Sequence, residues 1–188
     1  MPNESTSVTT WGRVTTTIEV RVEDVSQLFD PLDPFPFHQR DLDKKVEEYI
    51  VGWAQELPRD NLIAILVHLP KDAVATMTAT DLGDALRRYF DYRAGVIALD
   101  LNELLRVGKR SLAIGMVVLA VCLAAAQAAS GRLGTGAVNR FIEEGLVLFG
   151  WVANWRPIEI FLYDWWPISR KRGLYRRLAS ASVEVKLY

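Results

Sequence analysis

Sulfur and imidazole are scarce in this chain, which has one cysteine, Cys122, and two histidines, His38 and His68. A lone cysteine excludes any intramolecular disulfide. Neither histidine has a cysteine or a second histidine at ligand spacing, so no zinc set is expected. Also missing are a Walker A loop, G-x-G-x-x-G, H-E-x-x-H, C-x-x-C and G-x-S-x-G. We therefore expect no catalytic residues, no cofactor and no enzyme. The start, MPNESTSVTTWG, lacks a basic region followed by an apolar one, so targeting is expected from an internal segment.

Charge is absent from Ser111 to Ala129. At 1.5 Å per residue such a stretch is about long enough for the roughly 30 Å hydrocarbon core of a bilayer. Ala120, Ala124 and Ala128 form a ridge of small residues there, with Ala125 and Ala129 as a second, the pattern that lets helices pack closely in lipid. SGRLGTG then reads as a turn, and FIEEGLVLFGWVANWRPIEIFLYDWWPI as a returning arm.

The near-neutral total of −1 conceals an asymmetry. Residues 1–105 carry 18 acidic against 10 basic side chains, and residues 106–188 carry 5 against 12. Arg106, Lys109 and Arg110 precede the first arm, and Arg170, Lys171, Arg172, Arg176 and Arg177 follow the second, whereas the turn offers Arg132 and Arg140. By the positive-inside rule both termini are expected in the cytoplasm. The second basic cluster suits anionic lipid head groups better than nucleic acid.

Within the returning arm, Arg156 and Glu159 are three residues apart on one helical face and can pair. Measured from an aromatic belt at Tyr163, Trp165 and Trp166, Arg156 is expected within the core, where insertion costs at least roughly 2.5–3.5 kcal/mol. Pro157 is expected to kink the arm or to open a short interfacial helix. Two accounts follow. In the first, Arg156 and Glu159 are a structural pair that locks arms or subunits together. In the second, Glu143, Glu144, Arg156, Glu159 and Asp164 line a polar path. One hairpin cannot bury these charges alone, so we expect a homo-oligomer or a membrane-protein partner.

Outside this hairpin (residues 106–177), the pattern predicts a small α+β cytoplasmic domain over 13–105 and 178–188, after a flexible tail at 1–12. VTTTIEVRV and SVEVKLY alternate with period two, and NLIAILVHLP is apolar on both faces. Together they predict a three-stranded sheet with the middle segment central and the last strand contributed by the C-terminus. His68 reads as a core or edge histidine, and His38 as a loop residue. The intervening Pro31, Pro34 and Pro36 predict an ordered loop. Two helices complete the domain. RDLDKKVEEYIVGWAQELP carries a stripe of Leu42, Val46, Tyr49, Ile50, Trp53 and Leu57, with Glu47 and Glu48 expected on the solvated side. A long helix from Thr80 runs towards the bilayer. The function expected of such a chain is that of an integral membrane scaffold or accessory subunit. The rival is a small oligomeric channel or transporter.

Overall fold

Alternating β-branched residues dictate the sheet. The computed structural model describes residues 7–10, 13–33, 40–58, 60–71, 79–133 and 136–188, so His38, part of the proline loop and the tip of the turn lie outside it. Strands β2 (Arg13–Arg21), β3 (Leu62–Leu69) and β4 (Ser182–Leu187) form a parallel sheet with β3 central. The register sets Ile18 beside Ile65 and Val183, and Val20 beside Val67 and Val185. A fourth strand corrects the expectation of a loose tail: β1 (Ser7–Thr10) pairs antiparallel with the start of β2. Val8, Thr9 and Thr10 are β-branched and favour the extended backbone that the ladder needs.

One face of the sheet is buried. Ile18, Val20, Ile63, Ile65, Val67 and Leu69 lie on it. Helices α1 (Lys44–Glu56), the first turns of α2 (Ala79–Leu133) and the end of α5 (Trp165–Ala179) supply Ile50, Ala54, Leu82, Leu86, Phe90 and Leu178 to the same core. Gly83 lets α2 approach β4, where an added Cβ would meet Val183 Cβ at 3.4 Å. The other face carries Glu19, Arg21, Glu184 and Lys186.

Helix α1 starts where Asp43 caps it, accepting from the Lys45 N–H at 2.8 Å. Its Leu57 C-cap is followed by Pro58, which disfavours continuation. The proline loop before it is pinned at its base. Asp43 N–H donates to the Leu28 carbonyl and Asp30 N–H to the Asp41 carbonyl, both at 2.9 Å, over buried Leu28 and Phe29.

The chain divides into two compact units, Met1–Val96 with Lys171–Tyr188, and Ile97–Arg170. The second unit contains most of α2, then α3 (Ala137–Val152), α4 (Trp155–Glu159), a π-helical turn (Ile160–Asp164) and the first turns of α5. Here Leu101, Gly108, Gly115 and Cys122 are all buried and recur at seven-residue steps along α2. The alanine ridge is not this seam, since Ala120, Ala124, Ala125 and Ala128 are exposed. Glycine permits the closer approach. An added Cβ on Gly108 would lie 2.9 Å from Ile160, one on Gly115 would lie 3.1 Å from the Ala153 carbonyl, and one on Gly150 would lie 2.7 Å from Leu119. These opposed positions run antiparallel. The same register sets Arg156 level with about Ala113 of α2, and Glu144 level with about Ala125.

Candidate functional site

Pro157 decides where the returning arm breaks. It has no N–H to give the Ala153 carbonyl, four residues earlier, and its ring crowds that carbonyl. The helix accordingly ends at Val152, turns through Ala153 and Asn154, and restarts at Trp155. Pro157 itself is buried in the first turn of α4, where an N–H would have no intrahelical partner. Asn154, almost wholly buried, braces the break. Its Nδ2 donates to the carbonyls of Gly115 and Gly150, each at 3.0 Å, which ties the two arms together through backbone.

Immediately beyond the break, three charges gather. Arg156 Nη1 lies 2.8 Å from Glu159 Oε2 and 3.3 Å from Asp164 Oδ2. The first pair follows from i, i+3 spacing on α4. The second depends on the π turn, whose extra residue rotates Asp164 towards Arg156. The cluster carries two negative charges and one positive, and the Arg156 side chain is 61% exposed within the chain. Glu143 and Glu144 do not join it. Glu144 pairs with Arg140 at 3.2 Å, one turn earlier on α3. Twelve residues separate Glu144 from Arg156 in sequence, about 18 Å of helix axis.

The five basic residues of α5 have different settings. Arg170 stacks on the Trp166 ring at 3.7 Å, and the Lys171 ammonium lies 6.0 Å from the Tyr175 ring centroid. Arg176 is exposed and Arg172 half-buried. Arg177 turns into the fold. It donates to the carbonyls of Pro58 and Asn61, both at 2.9 Å, so its guanidinium is engaged by the sheet unit.

The most constrained charge is one that sequence reasoning set on the solvated side. Glu47 is only 9% exposed. Tyr175 Oη donates to its Oε1 at 2.6 Å and Tyr89 Oη to its Oε2 at 2.8 Å, while Arg93 Nε approaches Oε1 at 3.3 Å. Both tyrosines are buried, and Phe90 packs edge-on against each ring. Burial is the largest single influence on the Glu47 carboxyl and works to raise its pKa. The Tyr175 and Tyr89 hydrogen bonds, with the Arg93 charge, outweigh it and hold the carboxyl below its ordinary value. Burial, then the bond to Glu47, pushes the Tyr175 hydroxyl up to about 12, and Tyr89 rises for the same reasons. A usable signal existed in the sequence. Glu47, Ile50, Val51 and Ala54 are spaced as one helical stripe, and that stripe, not the one through Tyr49 and Trp53, faces the core. Glu48, by contrast, is exposed beside Lys44.

The arrangement links α1, α2 and α5 through a single carboxylate that takes three donors. Among the described residues no group of three or more His, Cys, Asp or Glu side chains is placed to hold a metal ion. Compared with known proteins, the chain matches no family model, no curated protein and no solved structure.

Proposed function

We propose that this chain is a non-enzymatic scaffold or accessory subunit of the cytoplasmic membrane, self-associating within the bilayer and presenting its sheet unit to partners on the cytoplasmic side. One observation carries the reading. Helix α2 is long and apolar enough to cross a membrane, with a window of mean hydropathy 2.3, and only 17% of that window is buried inside the chain. A core helix of a soluble domain would hide such a surface, whereas lipid covers it without cost.

The sheet then supports a second crossing. Strand β4 pairs with β3 from Ala64–Ser182 to Leu69–Leu187, so a chain that leaves through α2 has to come back to the same side. Helix α3 has 16 residues, about 24 Å, and the arm reaches further only through α4 and the π turn. The antiparallel register draws Arg156 towards Arg110 and the basic end, shallower than the aromatic belt alone suggests, which lowers its insertion cost. Tyr163, Trp165 and Trp166 are exposed there, as an interfacial belt would be. A channel draws less support, because Glu143 and Glu144 stand apart from the Arg156 cluster. Flux in liposomes that Arg156→Leu abolishes would restore that rival.

Side-specific labelling tests the topology. Cysteine placed at exposed Asp60, Glu184 or Gly136, on a Cys122→Ala background, is probed with an impermeant maleimide in oriented vesicles. We expect Asp60 and Glu184 to label together from the cytoplasmic side, and Gly136 only from the other. Labelling of Asp60 and Glu184 from opposite sides would end the reading.

A further inference from the structure

The sheet unit contains a cleft that neither the membrane arms nor the Glu47 cluster uses. It encloses about 630 Å³ and is lined by Glu19, Arg21, Lys45, Val46, Tyr49 and His68, with Val20 and Val22 at its floor. That volume falls in the usual range of small-molecule sites, roughly 300–1,000 Å³. Its place in the fold is also where open sheets with parallel strands take ligands, outside the carboxyl ends of the strands. Arg21 is the last residue of β2, and His68 is the last but one of β3.

Register builds the chemistry of the wall. Arg21, His68 and Lys186 stand side by side on β2, β3 and β4, about 4.8 Å from strand to strand. Arg21 lies over the Tyr188 ring at 4.9 Å, which restricts its guanidinium before any ligand arrives. His68 is mostly covered, although it belongs to the polar face. Its Nε2 lies 3.3 Å from Glu19 Oε2, off the line a hydrogen bond requires, and has no other partner among the described residues. Tyr49 Oη donates to the Glu19 carbonyl at 3.2 Å and ties α1 to β2. Among the described residues of the lining, Glu19 is the one carboxylate, against two cations, Arg21 and Lys45. The wall is therefore net positive before His68 is counted.

We propose that this cleft binds a small organic anion of the phosphate or carboxylate class. Arg21 and Lys45 hold the anionic group, and the Glu19 carboxylate accepts from a hydroxyl or amine of the same ligand. Val20, Val22 and Val46 take its apolar edge. The site lies within the sheet unit and stands whether or not α2 crosses a bilayer.

Inorganic phosphate probes the anionic subsite, by phosphorus NMR line broadening with the full chain in maltoside micelles free of phospholipid. We expect the wild type to broaden the signal saturably, beyond what empty micelles do. Lys45→Met removes a charge-assisted contact and is expected to weaken binding about tenfold or more. Lys44→Met removes the same charge from the neighbouring position, which does not line the cleft, and is expected to bind as wild type. Arg21→Met should act as Lys45→Met does. Lys45 is exposed, so its variant decides the matter even if Arg21→Met fails to fold. The proposal is overturned if wild type gives no broadening above micelles, if Lys45→Met binds unchanged, or if Lys44→Met weakens binding as much as Lys45→Met.

Discussion

At the scale of single residues, Glu47 shows how one buried charge can be made safe. A carboxylate away from water is costly unless its lone pairs are filled. Two tyrosine hydroxyls and Arg93 donate to it here. Removing one partner leaves the charge under-solvated, so Tyr175→Phe is expected to destabilise the fold by about 1–3 kcal/mol in denaturant titrations. Glu47→Gln should fall in the same range, because the amide presents one acceptor where the carboxylate presents two. The pH dependence has a defined sign. The Glu47 pKa is depressed in the folded chain, so its stabilisation is complete above the unfolded value and fades as pH falls through the folded one. Tyr175 is raised to about 12 from 10.0, so its share is complete below pH 10 and fades as pH climbs towards 12. We therefore expect the acid limb of the stability profile to flatten in Glu47→Gln and the alkaline limb in Tyr175→Phe. An unchanged acid limb in Glu47→Gln would mean the carboxylate does not hold these helices.

At the scale of elements, what was legible followed from periodicity, and what was missed followed from phase. The alternation in VTTTIEVRV and SVEVKLY specifies strands because each alternate side chain must choose a face. NLIAILVHLP is apolar on both faces and takes the central place. The parallel sense was not legible, since a strand's pattern is the same read against either direction of its neighbour. Nor was β1, whose Ser-Val-Thr-Thr has no apolar face to announce it. In α1 the aromatic residues Tyr49 and Trp53 drew the apolar stripe one position off, because their rings look hydrophobic while Tyr49 is half exposed. In α2 the alanines looked like the packing face and the glycines did the packing. That difference is measurable. Gly115→Ala places a Cβ 2.6 Å from Asn154 Oδ1 and 3.1 Å from the Ala153 carbonyl, so it should lower stability by about 1–3 kcal/mol. Gly95→Ala meets nothing within 4 Å and should raise it by up to about 1 kcal/mol through helix propensity. Thermal melts of the two variants in micelles, followed by tryptophan fluorescence, should shift in opposite directions. Equal shifts would show that the seam is not packed through Gly115.

At the scale of the whole chain, α2 presents apolar surface that the chain does not cover by itself. The seam through Gly108, Gly115 and Cys122 uses one stripe of α2 and leaves Ile114, Val117 and Val121 exposed, together with the alanine ridge. On the proposed reading, lipid covers the aliphatic part of that surface. It does not satisfy Arg156 with Glu159 and Asp164, a cluster of net charge −1 on the outer side of the returning arm. Charges in the membrane zone normally turn to protein or water, and the alanine ridge is a surface on which another helix can approach closely. On the proposed self-association, a second copy supplies a helix for the ridge and protein surface against which the cluster can turn. Sequence alone gave the pair its spacing but not its exposure, which depends on how the π turn and the break at Asn154 rotate the arm. Native mass spectrometry of the detergent-solubilised chain should therefore find a multimer. Ala124→Leu, exposed within the chain and crowding only a neighbour, should shift it towards monomer while leaving the thermal melt of the sheet unit in place. A wild-type species at monomer mass, in a detergent mild enough to keep known helical oligomers intact, would leave lipid and water as the cover for Arg156 and remove the case for self-association.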